Sequence, residues 1–209
     1  GANLGNEIYL QRRFGVSRAV LREALRPLEL HDIIRVKTGA HGGIIIHGFD
    51  PDYTITLATT YLAFARLPLS DLWETQNALK LVAVEGFVAR ADADTLRALE
   101  RALERLEHAS APHYLLAASE FHLLIADNSG NRAAALCVGI LHRYGLTVLP
   151  RPDEAYLPAL KQQHRDLLEA AIRGDAASAR ASMQAMYDHS RRWIARVERD
   201  LERRGAQSG

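Results

Sequence analysis

Cysteine is almost absent from this sequence: of 209 residues one is Cys and two are Met, and aromatic residues make up 7%. A single thiol rules out an internal disulfide, a usage that suits a reducing compartment. Cys137 stands in the apolar run AAALCVGIL, where it is expected as a small buried hydrophobe. Long hydrophobic runs are missing too, and none reaches the roughly 18 apolar residues of a membrane span. The first residues do not have the charged-then-apolar order of a secretion signal. These absences predict a cytosolic protein with no membrane partner. Nor is there an excess of one charge, since the formal net charge is +1. With 48% hydrophobic and 24% charged residues, disordered and fibrous classes are excluded, and one or two domains with a sizeable core are expected.

The charge is balanced globally but not locally. Residues 1–49 hold 7 Lys/Arg against 4 Asp/Glu, a charge of +3, which leaves −2 for the remainder. That asymmetry points weakly to a nucleic-acid-facing N-terminal part. Within it, Leu4, Ile8 and the segment Leu10 to Phe14 carry apolar residues at helical spacing, and Gly15 ends the run as a C-terminal cap would. Ser17 is placed to cap a second helix with Val20, Ala24 and Leu25 on its apolar side, which leaves Arg18 and Arg22 together on another face. Pro27 is expected to stop or kink that helix at Arg26. Two β-rich runs, IIRVK and GGIIIHG, follow around TGAHGG and predict a hairpin. Helix, turn, helix and hairpin is the order of a winged helix-turn-helix. Such a domain normally has a further helix ahead of these two, and Gly1 to Asn6 is too short to supply it.

A capped helix of this kind can enter the major groove, where Arg pairs with guanine edges, while Lys37 in the hairpin can reach a phosphate. By spacing alone, two solvated arginines on a surface helix are as good a reading. The segment LGNEIYLQRRFGVSRAVLREALRPLELHDIIRVKTGAHGGIII, with FGVSR..LREAL..LE before a G..GG wing, resembles the DNA-binding domain of GntR-type bacterial transcription regulators. The resemblance implies DNA contacts from Ser17, Arg18 and Arg22, with Thr38 and Gly39 in the wing. It departs at Ile8, where the family has an Arg that touches phosphate.

From Asp50 onward the pattern becomes helical throughout. Seven segments, from YTITLATTYLAFARL to DAASARASMQAMYDHSRRWIARVERDLERR, carry apolar residues three and four apart and are joined by short turns. The fold class is mainly α: residues 1–49 as a winged helix-turn-helix, then 50–209 as an antiparallel all-α bundle, with the boundary at the turn GFDPDY. EFHLLIADNSGN and QHRDLLEAAIRGDAASARASMQAM resemble the FCD domain, the helical ligand-binding partner of the FadR branch of GntR regulators. In many members an Asp and three His hold a divalent metal, such as Zn or Ni, which binds the carboxylate of a small organic acid. Carried over residue by residue, His122 and His164 remain, Ala118 replaces the Asp and Met186 replaces the last His. Two imidazoles are fewer ligands than such an ion usually takes, so a metal at His122 and His164 would need His189 or water to complete its shell. His189, one turn beyond Met186, is the nearest further donor.

Gln76 and Lys80 stand where the family has an Arg and a Glu. Either Lys80 or Arg143 could offer positive charge to an anionic effector, although each taken alone reads as an ordinary solvated or structural cation. Asn131 is expected to start a helix. The leading function is a ligand-responsive regulator, a homodimer on operator DNA whose effector, an organic acid, sits in the helical domain among His122, His164, Met186, Gln76, Lys80 and Arg143. The alternatives are an effector-binding protein without DNA contact, and a metal-dependent enzyme. The enzyme reading finds no nucleophile–base pair and no complete ligand set, so no catalytic residue is assigned.

Overall fold

The computed structural model describes residues 2–37, 42–47 and 51–206. It divides into two compact units, Gly1–Leu57 and Ala58–Gly209.

In the first unit, α1 (Glu7–Phe14) begins at Asn6, whose side chain accepts the Tyr9 N–H at 2.8 Å, and ends at Gly15 in the left-handed region at φ 66°. A Cβ is disfavoured at that φ, so glycine belongs there. Leu4, expected on the helix, lies ahead of it instead: its N–H donates to Ile44 O at 2.8 Å, and the Ile44 N–H donates to Gly5 O at 2.9 Å. Hydrogen bonding to the neighbouring strand thus decides the conformation before Asn6. The second helix, α2 (Arg18–Leu30), is capped by Ser17, whose side chain accepts from the Val20 N–H. It runs through Pro27 rather than stopping at Arg26. Proline forgoes only its own N–H, and the following turn is tied back from outside. The His31 N–H donates to Pro27 O (3.1 Å), Asp32 N–H to Glu29 O (3.0 Å) and Ile33 N–H to Leu28 O (2.9 Å).

Strand β1 (Ile34–Lys37) pairs antiparallel with β2 (Gly43–Ile46), Ile34 opposite Ile46 and Lys37 opposite Gly43, as the hairpin reading requires. Leu10, Leu21, Ile34 and Ile44 close a small core, with Val16, Leu25 and Ile33 against it. The buried side of α2 is therefore Leu21 and Leu25, while Val20 and Ala24 are exposed. Tertiary packing selected the neighbouring face of the same helix. Leu21→Ala would cost about 2–5 kcal/mol in a core this small.

The seven predicted helical segments are all present. They are α3 (Pro51–Ala65), across which the division between units falls, then α4 (Leu69–Val88), α5 (Ala93–His108), α6 (Ala111–Asp127), α7 (Arg132–Val148), α8 (Leu157–Ile172) and α9 (Ala176–Ala206). Helix α4 packs on α6, α7 and α9, and α5 packs on α6 and α8. The reason is visible in α5, capped by Asp92, whose Leu99, Ala102, Leu103 and Leu106 are buried at three-and-four spacing. Where α4 meets the turn between α6 and α7, a Cβ on Gly86 would lie 2.4 Å from Ser129 O. Glycine is required there by close approach. Asn131 does start α7, accepting the Ala134 N–H at 3.0 Å. Cys137, expected to be buried, is exposed, because the side of α7 turned inward carries Ala134, Val138 and His142.

Candidate functional site

In the N-terminal unit, Arg18 and Arg22 project from one exposed face of α2, as their spacing of four requires. Both hold the same carboxylate: Arg18 Nε donates to Glu7 Oε2 at 3.0 Å and Arg22 Nε to Glu7 Oε1 at 3.1 Å. The Arg22 hydrogen bond, helped by that of Arg18, lowers the pKa of Glu7. Glu7 was not singled out from sequence; an acidic residue in the first turn of α1 was its only signal. Lys37 is exposed at the end of β1, and Ile8 is exposed on α1. Thr38 and Gly39 lie outside the described residues.

The second unit holds a partly open cavity of about 90 Å³. One face of α4 supplies Trp73, Gln76, Asn77 and Lys80, residues three and four apart. Helix α6 supplies Tyr114, Ala118, Ser119 and His122; α7 supplies His142 and Gly145; α8 supplies Leu160 and His164; α9 supplies Met183, Met186, Ser190 and Trp193. Five residues anticipated from the sequence, His122, His164, Met186, Gln76 and Lys80, thus come together here. Arg143 does not: it is exposed on α7, and the neighbouring His142 faces inward instead. His142 was missed because a histidine among apolar residues of one helix has no sequence partner; only tertiary packing sets it beside His122. His189 is half-buried with its ring 5.3 Å from that of Tyr156, and it does not line the cavity.

Three imidazoles dominate the chamber. The His122 ring centroid is 5.1 Å from that of His164 and 5.7 Å from that of His142. His164 Nδ1 lies 2.7 Å from Leu160 O, so it carries the proton and donates, leaving Nε2 with a bare lone pair in the neutral ring. That Nε2, His122 Nδ1, His142 Nε2 and the Tyr114 hydroxyl are all buried without a hydrogen-bond partner. Four orphaned polar atoms around one space is a concentration that a packed core avoids. Burial pushes the His164 pKa down to about 4, and burial with the nearby Lys80 charge pushes His122 and His142 well below the usual value. Lys80 keeps some accessible surface, yet its ammonium sits amid protein, 5.7 Å from the Trp73 ring, and desolvation brings its pKa down to about 7. Gln76 is committed to the scaffold, donating from Nε2 to Leu141 O at 2.8 Å.

These residues do not fit a divalent metal. Ala118 and Met186 offer the cavity no hard donor, and no Asp or Glu lines it among the described residues. Among those residues no three His, Cys, Asp or Glu side chains converge on one point. Lys80 in the same chamber would repel a cation.

One unit carries two helices followed by a two-stranded hairpin, the arrangement of a winged helix-turn-helix, and the other is a helical bundle around a chamber of mixed polar and apolar walls. Residues 71–189 match the FCD domain family. The HTH-type transcriptional regulator YcbG of Bacillus subtilis (strain 168), itself uncharacterized, is 33% identical over 131 residues, covering 63% of this chain and 54% of that protein. The chain spans about half the length of this curated relative. Among solved structures, Streptococcus agalactiae GntR superposes with a TM-score of 0.69 at 25% identity, over 92% of this chain and 90% of that one. E. coli McbR/YncC shares the fold at a TM-score of 0.52 and 17% identity, over 94% and 88%. The chain belongs to the FCD domain family, and its fold resembles that of Streptococcus agalactiae GntR. No described helix is long and apolar enough to cross a membrane.

Proposed function

We propose that this protein is a ligand-responsive transcription regulator of the FadR subfamily, acting as a homodimer on operator DNA. Residues 1–49 form its DNA-binding domain, and residues 50–209 bind the effector and dimerise. The observation that carries the reading is the pair Arg18 and Arg22 on one solvent-facing side of a helix capped by Ser17, followed directly by a two-stranded wing. Arg18 and Arg22 read base edges, Ser17 and Lys37 hold phosphates, and Thr38 and Gly39 complete the wing contact. Glu7 must release both arginines as DNA replaces its carboxylate.

A homodimer doubles this contact on a palindromic site. Support for self-association comes from α3, which exposes Tyr61 and Phe64 at 72% and 85%, three residues apart on one face. The effector is a small organic acid held in the chamber of His122, His142 and His164. An effector that prefers one arrangement of the bundle shifts the population competent for DNA.

Fluorescence anisotropy with DNA from upstream of the protein's own gene tests the reading. Specific binding that Arg18→Ala and Arg22→Ala each weaken by about 1–3 kcal/mol supports it. Operator affinity unchanged in both variants would remove the recognition role from α2. Phe64→Glu should shift the protein toward monomer in sedimentation velocity and lower operator affinity; an unaltered dimer would clear α3 of that role.

A further inference from the structure

We infer that Lys80 of α4 is the anion-receiving group of the chamber, that it does so without a metal ion, and that the ligand is a small monocarboxylate with an apolar body. The inference rests on reading this chamber as the effector site.

Charge is the first argument. Lys80 is the one Lys or Arg among the described residues lining the cavity, and no carboxylate lines it. No described residue forms a salt bridge with Lys80; its contact is with the Trp73 ring at 5.7 Å. A cation held amid protein with only a ring beside it is costly, and a single bound carboxylate removes that cost. One cation calls for one anionic group, so a monocarboxylate fits better than a di- or tricarboxylate.

Hydrogen bonding is the second argument. Tyr114 and the three histidines line the chamber, are each more than nine-tenths buried, and each hold a polar atom without a hydrogen-bond partner. The Tyr114 hydroxyl is a donor for a carboxylate oxygen, and so are His122 Nδ1 and His142 Nε2 in the tautomer that protonates them, whereas His164 Nε2 can only accept because Nδ1–H is committed to Leu160 O. Tyr114 and His122 belong to α6 and His142 to α7, while Lys80 comes from α4, so a carboxylate held by these groups ties three helices together.

Shape is the third. Trp73, Trp193, Leu146, Leu149, Met183 and Met186 make much of the rest of the wall apolar, with Gln76, Asn77, Ser119 and Ser190 between them. A cavity of about 90 Å³ holds about six to nine water-sized positions, at roughly 10–15 Å³ each. That suits a short aliphatic chain or one aromatic ring carrying its carboxylate. Where a metal-dependent relative would set a divalent ion, this chain has Ala118 and Met186 instead of ligands and brings its own positive charge from the facing helix.

The test uses the full chain after treatment with EDTA. Benzoate and hexanoate, with benzyl alcohol and hexanol as their uncharged counterparts and succinate as a dianion, are titrated by calorimetry and by NMR of the Trp and His resonances. The parent should bind at least one of the two monocarboxylates, more tightly than its neutral counterpart or succinate, and with the same affinity when Zn2+ or Ni2+ is added. Lys80→Met should weaken that binding at least about tenfold, with its far-ultraviolet circular dichroism unchanged, and should cost the neutral counterpart much less than the carboxylate. Lys80→Arg, which keeps the charge, should lose less. Stoichiometric metal retained on purification, binding that appears only with added metal, or equal carboxylate affinity in Lys80→Met would each overturn the inference. If only the neutral compounds bind the parent, the inference fails while the chamber stands as a ligand site. If nothing in the panel binds the parent, both fall.

Discussion

Replacing Lys80 by Met should make the ligand-free protein more stable. The ammonium has an ordinary pKa of 10.5 in the unfolded chain and about 7 in the fold, because desolvation in the chamber disfavours its charge. At 1.36 kcal/mol per pKa unit the full penalty is about 5 kcal/mol, and about 4 kcal/mol at pH 7, where the folded amine has shed half its proton. Water entering the cavity screens part of this, so a gain of about 2–4 kcal/mol is expected from methionine, a side chain of similar length with no charge. For a chain of this size that is a rise in melting temperature of roughly 4–16 °C. The sign follows from proton binding: between pH 7 and 10.5 the unfolded state holds the proton that the folded state gives up, so parent stability rises with pH across that window. The advantage of Lys80→Met should therefore shrink steadily from pH 7 and vanish near pH 10.5. Urea unfolding of both proteins at pH 7, 8.5 and 10 measures it. A variant no more stable than its parent at pH 7, or an advantage that does not change with pH, would refute the reasoning.

The buried histidines should act at the acid side. With His164 near pKa 4 in the fold against 6.5 unfolded, the unfolded chain binds the proton first, and stability should drop by about 2–3 kcal/mol between pH 7 and pH 4.5, with His122 and His142 acting in the same direction. His164→Gln should flatten that loss in urea melts; an equal slope would mean other groups cause it. Gly86→Ala should cost about 1–3 kcal/mol by thermal melting, because its Cβ would press on Ser129 O, while Gly174→Ala, with nothing near its Cβ, should show only the strain of its positive φ. Glu7→Gln should raise affinity for DNA of unrelated sequence about two- to tenfold at low salt by freeing Arg18 and Arg22, an effect lost in high salt; unchanged affinity would show that Glu7 does not compete with phosphate.

Much of the fold was legible because its signals are local. Apolar residues three and four apart mark α3 to α9, Asn131 and Ser17 are capping types at helix starts, and Gly15 holds a left-handed φ. The errors arose where another segment decided. Leu4 has the spacing of a helix but hydrogen-bonds to Ile44, and Val20 lost to Leu21 because α1 and the hairpin pack on that side. Pro27 carries a local preference that three hydrogen bonds beyond it outweigh.

The sequence by itself determined the order of elements, the capped helix with Arg18 and Arg22 on one face, and the presence at positions 118 and 186 of Ala and Met, neither of them a hard metal donor. All of these depend on residue type and on spacings within one helix. Only the tertiary structure decided that Glu7 lies between the two arginines, that His142 and not Arg143 joins His122 and His164, and that Lys80 enters the same cavity. The reason is distance along the chain. Residues from α4, α6, α7 and α8 meet through packing, and the burial that sets the state of Lys80 and of the three imidazoles exists only after the helices close around them.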